Sequence, residues 1–521
     1  MVYCGRSRGC YLCRKRKIKC DEALPECGNC RVYGRPCPGY RLESIFRNET
    51  SKVEQLVKKS GGVPAGKELA RRRGSASSLT LHRVADSSWE ERAVCYFFDQ
   101  YTSGGDADEA ISYLASLPSL YSICRDTGSE SPTSSCLRLA VDATALMTLS
   151  NHVNAPPLVL RARQYYGSAL RGLRQALDTQ TQAVKDETFA TMVLLSLFED
   201  ITGERNGLSS SHAGGFEFLI KLRGEAQLGN AQGKDLFQFA YTHTHIEMLA
   251  LRERPRYNTD WIVESLTTRD PISRLMLVAS KMSQLFLATS SLQALALNPT
   301  PQPLDTDTIS QLTFLLLTGR QVDLELTSWS QDLPERWLPL VIYADKANNH
   351  DPLITYHHLS IASVWTYYRA VRIISHLIML ELRRALATAT GEQAPEDNNN
   401  TATPALIQKM ITDICKSIPF CLGDVDIMGN RTTTSSPSSA SADSKPKPRA
   451  RAFSVYSMIW PLWYILSCGF ATPSQQEQIR GCLARIGSVL GIKLALVLAE
   501  DASSQSKSPL ASLSGAFFAS R

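Results

Sequence analysis

The sequence predicts a small cysteine-rich head followed by a large all-α body, and three observations carry that prediction. Seven of the 14 cysteines fall within the first 37 residues. Charge divides at the same end: residues 1–74 hold 18 Lys+Arg against 7 Asp+Glu, whereas the remaining 447 residues hold 38 against 43. From Trp89 onward apolar residues recur at three- and four-residue steps, as in Ala93, Val94, Phe97, Phe98 and Tyr101. That is the period of a helix with one buried stripe, and alternating strand patterns are absent.

Length and composition set the outer bounds. At 521 residues the chain has room for about three domains of roughly 150 residues. With 43% hydrophobic and 20% charged residues it is neither a disordered chain nor a small disulfide scaffold. The basic head before a mildly acidic body points to a polyanionic partner for the head.

The helical period runs from residue 89 to about 500 through stretches such as Cys136–Leu149, Leu158–Leu177, Glu187–Phe198, Leu236–Leu251 and Thr355–Leu386. Residues 388–404 and 430–450, rich in Ser, Thr, Pro and Asn, bury too little surface to fold and read as disordered insertions. Residues 501–521 read as a loose tail. Residues 41–88 are polar and basic and read as a flexible linker with a short helix through Leu42–Val57. Leu42, Phe46, Val53 and Leu56 make one and a half heptads, where a zipper needs about three to four. The dimerisation signal there is therefore weak, and tight binding by the head would need flanking contacts or a homodimer formed through the helical body. Residues 453–470 carry no charge over 18 positions, but Pro461, three serines and a glycine favour a buried helix pair kinked at Pro461 over a membrane span. No membrane partner is expected.

The chemistry sits in the head. Cys10-x2-Cys13-x6-Cys20 is repeated at identical spacing as Cys27-x2-Cys30-x6-Cys37. Two separate tetrahedral zinc sites need eight ligand positions, and six thiolates supply them only if two sulfurs are shared. The spacing thus predicts a binuclear cluster with two zinc ions. A disulfide framework is the competing reading. It fits poorly with Cys95, Cys124, Cys136, Cys415, Cys421, Cys468 and Cys482, which look like buried free thiols of a reducing compartment. Between Cys13 and Cys20 lie Arg14, Lys15, Arg16, Lys17, Ile18 and Lys19. A basic run is usually a solvated face. On a short helix fixed by metal, it becomes a rigid surface for phosphates and base edges.

Residues 8–40 resemble the fungal six-cysteine binuclear zinc cluster DNA-binding domain in spacing, in the basic stretch, in Asp21 and in Pro25. The resemblance implies two short helices around two zincs. It makes Cys10 and Cys27 the bridging ligands, with Cys13 and Cys20 completing one zinc and Cys30 and Cys37 the other. It places Lys17, beside Arg16, where the family reads a CGG triplet; guanine O6 and N7 are acceptors there. Arg14, Lys15 and Lys19 then face phosphates or brace the fold. YGSALRGLRQALD, DETFATMVLLSLFED, SHAGGFEFLIKLRG and ICKSIPFCLGD make the body similar to the fungal-specific transcription factor regulatory domain. Together these imply a nuclear regulator acting at RNA polymerase II promoters through CGG-containing double-stranded DNA, with the transcription machinery or co-regulators as partners. A biosynthetic or metabolic gene set is the analogy at family level.

Lys58-Lys59 and Arg71-Arg72-Arg73 have the layout of a bipartite import signal. An enzymatic body is not expected: the nine histidines form no HExxH, and no nucleophile elbow or phosphate loop is present. His243 and His245 point about 200° apart on a helix and make a poor metal pair. Glu90-Glu91 and Glu199-Asp200 read as solvated helix ends, and His212 as a helix start. The alternative function is a metal-responsive or RNA-binding zinc protein without promoter specificity.

Overall fold

The computed structural model describes residues 10–21, 27–35, 37, 87–102, 114–126, 131–205, 208, 210–251, 270–296, 306–343, 352–390, 398–432 and 451–504. The linker helix, both import clusters, most of the second insertion and the tail beyond 504 lie outside the described residues.

In the head, α1 (Tyr11–Lys15) and α2 (Gly28–Val32) each follow the first cysteine of a Cys-x2-Cys pair. The body is helical, as the apolar period of the sequence requires. It begins with α3 (Trp89–Tyr101), whose N-cap Ser88 accepts from the Glu91 N–H. After α4 (Leu117–Asp126) come α5 (Pro132–Val153) and α6 (Pro156–Leu177). Both open on proline, whose missing N–H costs nothing in a first turn. Beyond the short α7 (Gln180–Ala183), α8 (Asp186–Thr202) is buried at every position from Thr188 to Ile201. A helix apolar all round must be enclosed by others. Helices α5 and α6 pack on it here.

Next come α9 (Ala213–Arg223), α10 (Ala231–Leu251), α11 (Pro271–Ala296) and α12 (Thr306–Gln331). Helix α10 also packs on α8. Helix α13 (Leu359–Thr390) packs on α11, α12 and α14 (Asn398–Cys421). Then α15 (Ala452–Tyr456), α16 (Ile459–Cys468), α17 (Pro473–Val489) and α18 (Leu494–Ser504) return the chain to the centre, where α16 meets α10 and α18 meets α8. One apolar core runs through these helices, from Ala93 to Ala502.

Several expectations change. The body is not purely α: β1 (Leu340–Ile342) and β2 (Leu353–Thr355) pair antiparallel, Val341 opposite Ile354. Strands this short cannot show an alternation. The apolar run at 453–470 is two helices, but the break falls at Ser457–Met458. Pro461 is the third residue of α16, within the first turn, where it kinks nothing. No helix among the described residues is long and apolar enough to cross a membrane. Helix α13 reaches Thr390 and α14 starts at Asn398, so both ends of the expected 388–404 insertion are helical. Asn430–Thr432 is likewise held, by hydrogen bonds to Asp426, Asp424 and Gly423. Cys95 is exposed on α3, whereas the other six body cysteines are buried.

Candidate metal centre and nucleic-acid interface

Each half of the head builds the same local structure. Cys27 is the N-cap of α2, and its sulfur accepts from the Cys30 N–H at 3.3 Å. At the equivalent place in the first half, the Cys10 sulfur accepts from the Cys13 N–H at 3.4 Å. Thiolates at a helix N-terminus are favoured by the unsatisfied N–H groups there.

The sulfurs converge. Cys10 Sγ lies 3.8 Å from Cys27 Sγ and 3.6 Å from Cys30 Sγ; Cys13 Sγ lies 3.6 Å from Cys27 Sγ. Two quartets form, Cys10, Cys13, Cys20, Cys27 and Cys10, Cys27, Cys30, Cys37, each with all sulfurs within 4.8 Å of one another. Tetrahedral zinc with bonds of about 2.3 Å needs sulfurs about 3.8 Å apart. The six sulfurs therefore fit two zinc ions, and the quartets share Cys10 and Cys27. Cys10, Cys13, Cys27 and Cys30 are fully buried. Burial and the neighbouring sulfurs, Cys10 foremost, push the Cys13 thiol up to about 12; burial also raises Cys27 and Cys30. Sulfurs packed this closely resist ionising together, and dications are what offset that repulsion.

Besides the sulfurs, three further contacts among the described residues tie the halves. Asp21 Oδ2 accepts from the Gly28 N–H at 2.8 Å. A Cβ at Gly28 would meet that oxygen at 2.7 Å, so a larger residue here would push the Asp21 carboxylate aside and disturb this bond. Asn29 Nδ2 donates to the Lys19 carbonyl at 2.8 Å. The Arg16 guanidinium carbon lies 3.6 Å above the centre of the Tyr33 ring.

The basic run is less helical than expected. Arg14 and Lys15 end α1, Arg16 and Lys17 form a turn, and Ile18 and Lys19 lead on to Cys20. The Ile18 N–H reaches back to the Cys13 carbonyl at 3.1 Å, closing the helix around Lys17 in left-handed backbone. Lys15, Arg16, Lys17 and Lys19 are all exposed. Sequence reasoning passed over Gly28, Asn29 and Tyr33, because their roles depend on the two halves facing one another.

In the body, Glu199 and Asp200 are not solvated: both are buried at the end of α8. Arg205 donates from Nε to Asp200 Oδ1 at 2.6 Å and from Nη1 to Glu247 Oε1 at 2.7 Å. Tyr456 donates to Asp200 Oδ2, and His243 Nε2 lies 2.9 Å from the Tyr456 hydroxyl. Glu199 takes the Ser211 hydroxyl and faces His212 Nε2 at 3.3 Å. Burial alone would raise the Asp200 carboxyl, but Arg205, His243 and Tyr456 hold it below its usual value. This cluster fastens the segment after α8 to α10 and α15. His245 lies on the other side of α10 from His243, as their spacing on the helix requires, and meets the Tyr367 hydroxyl at 2.7 Å.

A six-sulfur head of two equivalent halves, joined to a helical body, defines a binuclear zinc cluster protein. The match to known families agrees. Residues 8–44 match the fungal Zn(2)-Cys(6) binuclear cluster domain, and residues 127–354 match the fungal specific transcription factor domain. The chain thus carries both domains found in the fungal zinc cluster transcription factors, a non-enzymatic family, and its head is a domain for two zinc ions. It is 24% identical over 259 residues to the aspercryptin biosynthesis cluster-specific transcription regulator of Emericella nidulans, covering 47% of this chain and 40% of that one. It is 33% identical over 79 residues to the depudecin biosynthesis cluster-specific transcription activator of Fusarium langsethiae, covering 15% and 13%. It is 25% identical over 119 residues to arginine metabolism regulation protein II of Saccharomyces cerevisiae, covering 22% and 12%. The matched stretches thus span two fifths or less of these relatives. No solved structure matches the chain.

Proposed function

We infer that the chain is a nuclear, zinc-dependent regulator of transcription that binds CGG-containing promoter DNA through its head. The observation that carries this reading is the pair of sulfur quartets sharing Cys10 and Cys27, with an exposed basic turn between Cys13 and Cys20. Cys13 and Cys20 complete one zinc, and Cys30 and Cys37 the other. The ions fix α1 and α2 where the head has little apolar core of its own. Lys17, with Arg16 beside it, addresses guanine edges, whereas Arg14, Lys15 and Lys19 meet phosphates or brace the fold. The 8–40 head, the 41–88 linker with its import clusters at 58–59 and 71–73, and the 89–500 body divide the work into binding, transport and regulation. Two of the relatives are named for biosynthesis clusters. By that likeness, this chain acts on a biosynthetic gene set, alone or as a homodimer joined through its body, together with co-regulators.

The test is competition by the zinc-loaded protein between a CGG-containing duplex, a scrambled duplex and a single-stranded RNA, followed by mapping of binding sites across the genome. Preference for the CGG duplex and enrichment at promoters are expected. Equal or tighter RNA binding would shift the reading to an RNA-binding zinc protein.

A further inference from the structure

We propose that Tyr33 and Asn29, both in the second half of the head, are positioning residues for the DNA-reading turn of the first half. The proposal rests on the DNA-binding reading above and adds to it the residues that set specificity without addressing a base.

The turn from Arg16 to Lys19 carries the candidate reading side chain in a backbone state that L-residues avoid: Lys17 has a φ of 54°. Such a conformation persists only where its surroundings over-determine it. Here the surroundings come from across the pseudo-symmetric interface. At one end the Arg16 guanidinium is laid over the Tyr33 ring at 3.6 Å. At the other end the Lys19 carbonyl is held by Asn29 Nδ2 at 2.8 Å. Within the first half the Ile18 N–H pins the turn to the Cys13 carbonyl. The turn is therefore gripped on both sides of Lys17 by residues that are not zinc ligands. Tyr33 is about half exposed, so the ring adds little to any core; its observed contact is the cation.

A cation over an aromatic face needs the ring and not the hydroxyl. Tyr33→Phe should thus keep the contact and Tyr33→Leu should lose it. With Arg16 released, the turn samples other conformations and Lys17 is no longer presented in one place. Loss should then fall on discrimination between sequences rather than on general attraction to DNA, because every positive charge is still present.

The experiment titrates the zinc-loaded full-length protein, wild type, Tyr33→Leu, Tyr33→Phe and Asn29→Asp, against a CGG-containing duplex and its scrambled counterpart, and measures zinc per chain for each. Tyr33→Leu should lower the ratio of the two affinities by about two- to fivefold, as an exposed cation–π contact implies, with two zincs retained. Tyr33→Phe should keep the wild-type ratio. A ratio unchanged in Tyr33→Leu, including equal weakening on both duplexes, would overturn the proposal and leave the DNA-binding reading standing. Should Tyr33→Leu lose zinc, Asn29→Asp decides: with its metal kept and its ratio lowered the grip is upheld, and otherwise the proposal fails. A wild type that binds both duplexes equally removes the sequence-reading function itself, and the positioning role with it.

Discussion

Lys17 and Gly34 occupy the same place in the two halves of the head and share one backbone conformation. Their separation along the chain equals that of Cys10 and Cys27, and their φ angles are 54° and 71°. Each lies just past the end of its helix. Around Lys17 the Ile18 N–H bonds the Cys13 carbonyl at 3.1 Å; around Gly34 the Arg35 N–H bonds the Cys30 carbonyl at 3.3 Å. Glycine is the residue this position prefers. The duplicated unit uses it in the second half and departs from it in the first, at the one residue expected to read bases.

That departure has a measurable cost. A left-handed L-residue is less favourable than glycine by about 1 kcal/mol or somewhat more. Lys17→Gly should therefore make the head hold zinc more firmly against a chelator, while Lys17→Ala, which keeps the strain, should match wild type. Zinc release followed over a chelator titration separates the two.

Sharing of sulfurs makes the six cysteines unequal. Cys10 and Cys27 belong to both quartets, and Cys13, Cys20, Cys30 and Cys37 to one each. Cys10→Ala or Cys27→Ala should lose both ions, and Cys20→Ala or Cys37→Ala should weaken one before the other. Zinc per chain across a series of free-zinc concentrations would show one step for the first pair and two for the second. Identical behaviour of all four variants would contradict a shared-sulfur centre.

The buried cluster at the end of α8 makes a prediction about stability. Arg205 is almost wholly enclosed and pairs with Asp200 and Glu247, both buried. Arg205→Met leaves two carboxylates inside without their cation, a change that costs about 3–5 kcal/mol. Asp200 is held below its usual value of 3.8. It thus contributes stability above that pH and loses it as pH falls through its folded value. Thermal midpoints measured from pH 6 down to pH 2 should fall steeply below pH 4 in wild type and more gently in Asp200→Asn, from a lower starting point.

A second pH limb belongs to His245. Burial lowers it from 6.5 to about 3, so the unfolded chain takes up a proton that the folded chain refuses. Stability should decline as pH falls from 6.5 towards 3, by up to about 1.4 kcal/mol per pH unit from this group. His245→Gln, which still offers Tyr367 a polar partner, should flatten that part of the profile. An unaltered slope between pH 6.5 and 4.5 would show that His245 ionises freely in the folded state.

What the sequence disclosed follows from how local each signal is. The six-cysteine spacing is written in one short stretch, from Cys10 to Cys37, and the sulfur quartets lie where the duplication puts them. The helices of the body were legible because their apolar residues recur at three- and four-residue steps within each short stretch. The burial of Glu199 and Asp200 was hidden because charge at a helix end is usually wet; Asp200 is covered by Arg205 just past the helix and by Tyr456 from far along the chain, and Glu199 by Ser211 and His212. Tyr33 over Arg16 was hidden for the same reason, because only folding brings the two halves into contact. The break at Ser457–Met458 was misplaced because proline is tolerated in a first turn.

Base reading and charge attraction are expected to separate at two neighbouring lysines. Lys15 ends α1 with helical backbone, whereas Lys17 sits in the left-handed turn that follows, and both are exposed. A donor placed on guanine O6 and N7 contributes about 1–3 kcal/mol of discrimination against other bases. A phosphate contact contributes to all sequences alike, and its loss lowers the slope of log affinity against log salt by about one unit. Lys17→Ala should therefore weaken binding to a CGG-containing duplex by about 5- to 150-fold beyond its effect on a scrambled duplex. Lys15→Ala should weaken both duplexes together and leave their ratio intact. Titrating each variant of the zinc-loaded protein on both duplexes at two salt concentrations gives ratio and slope in one experiment. If Lys17→Ala shifted the slope and spared the ratio, as Lys15→Ala is expected to, the turn would be attracting DNA without reading it. The left-handed lysine would then have no part in sequence recognition.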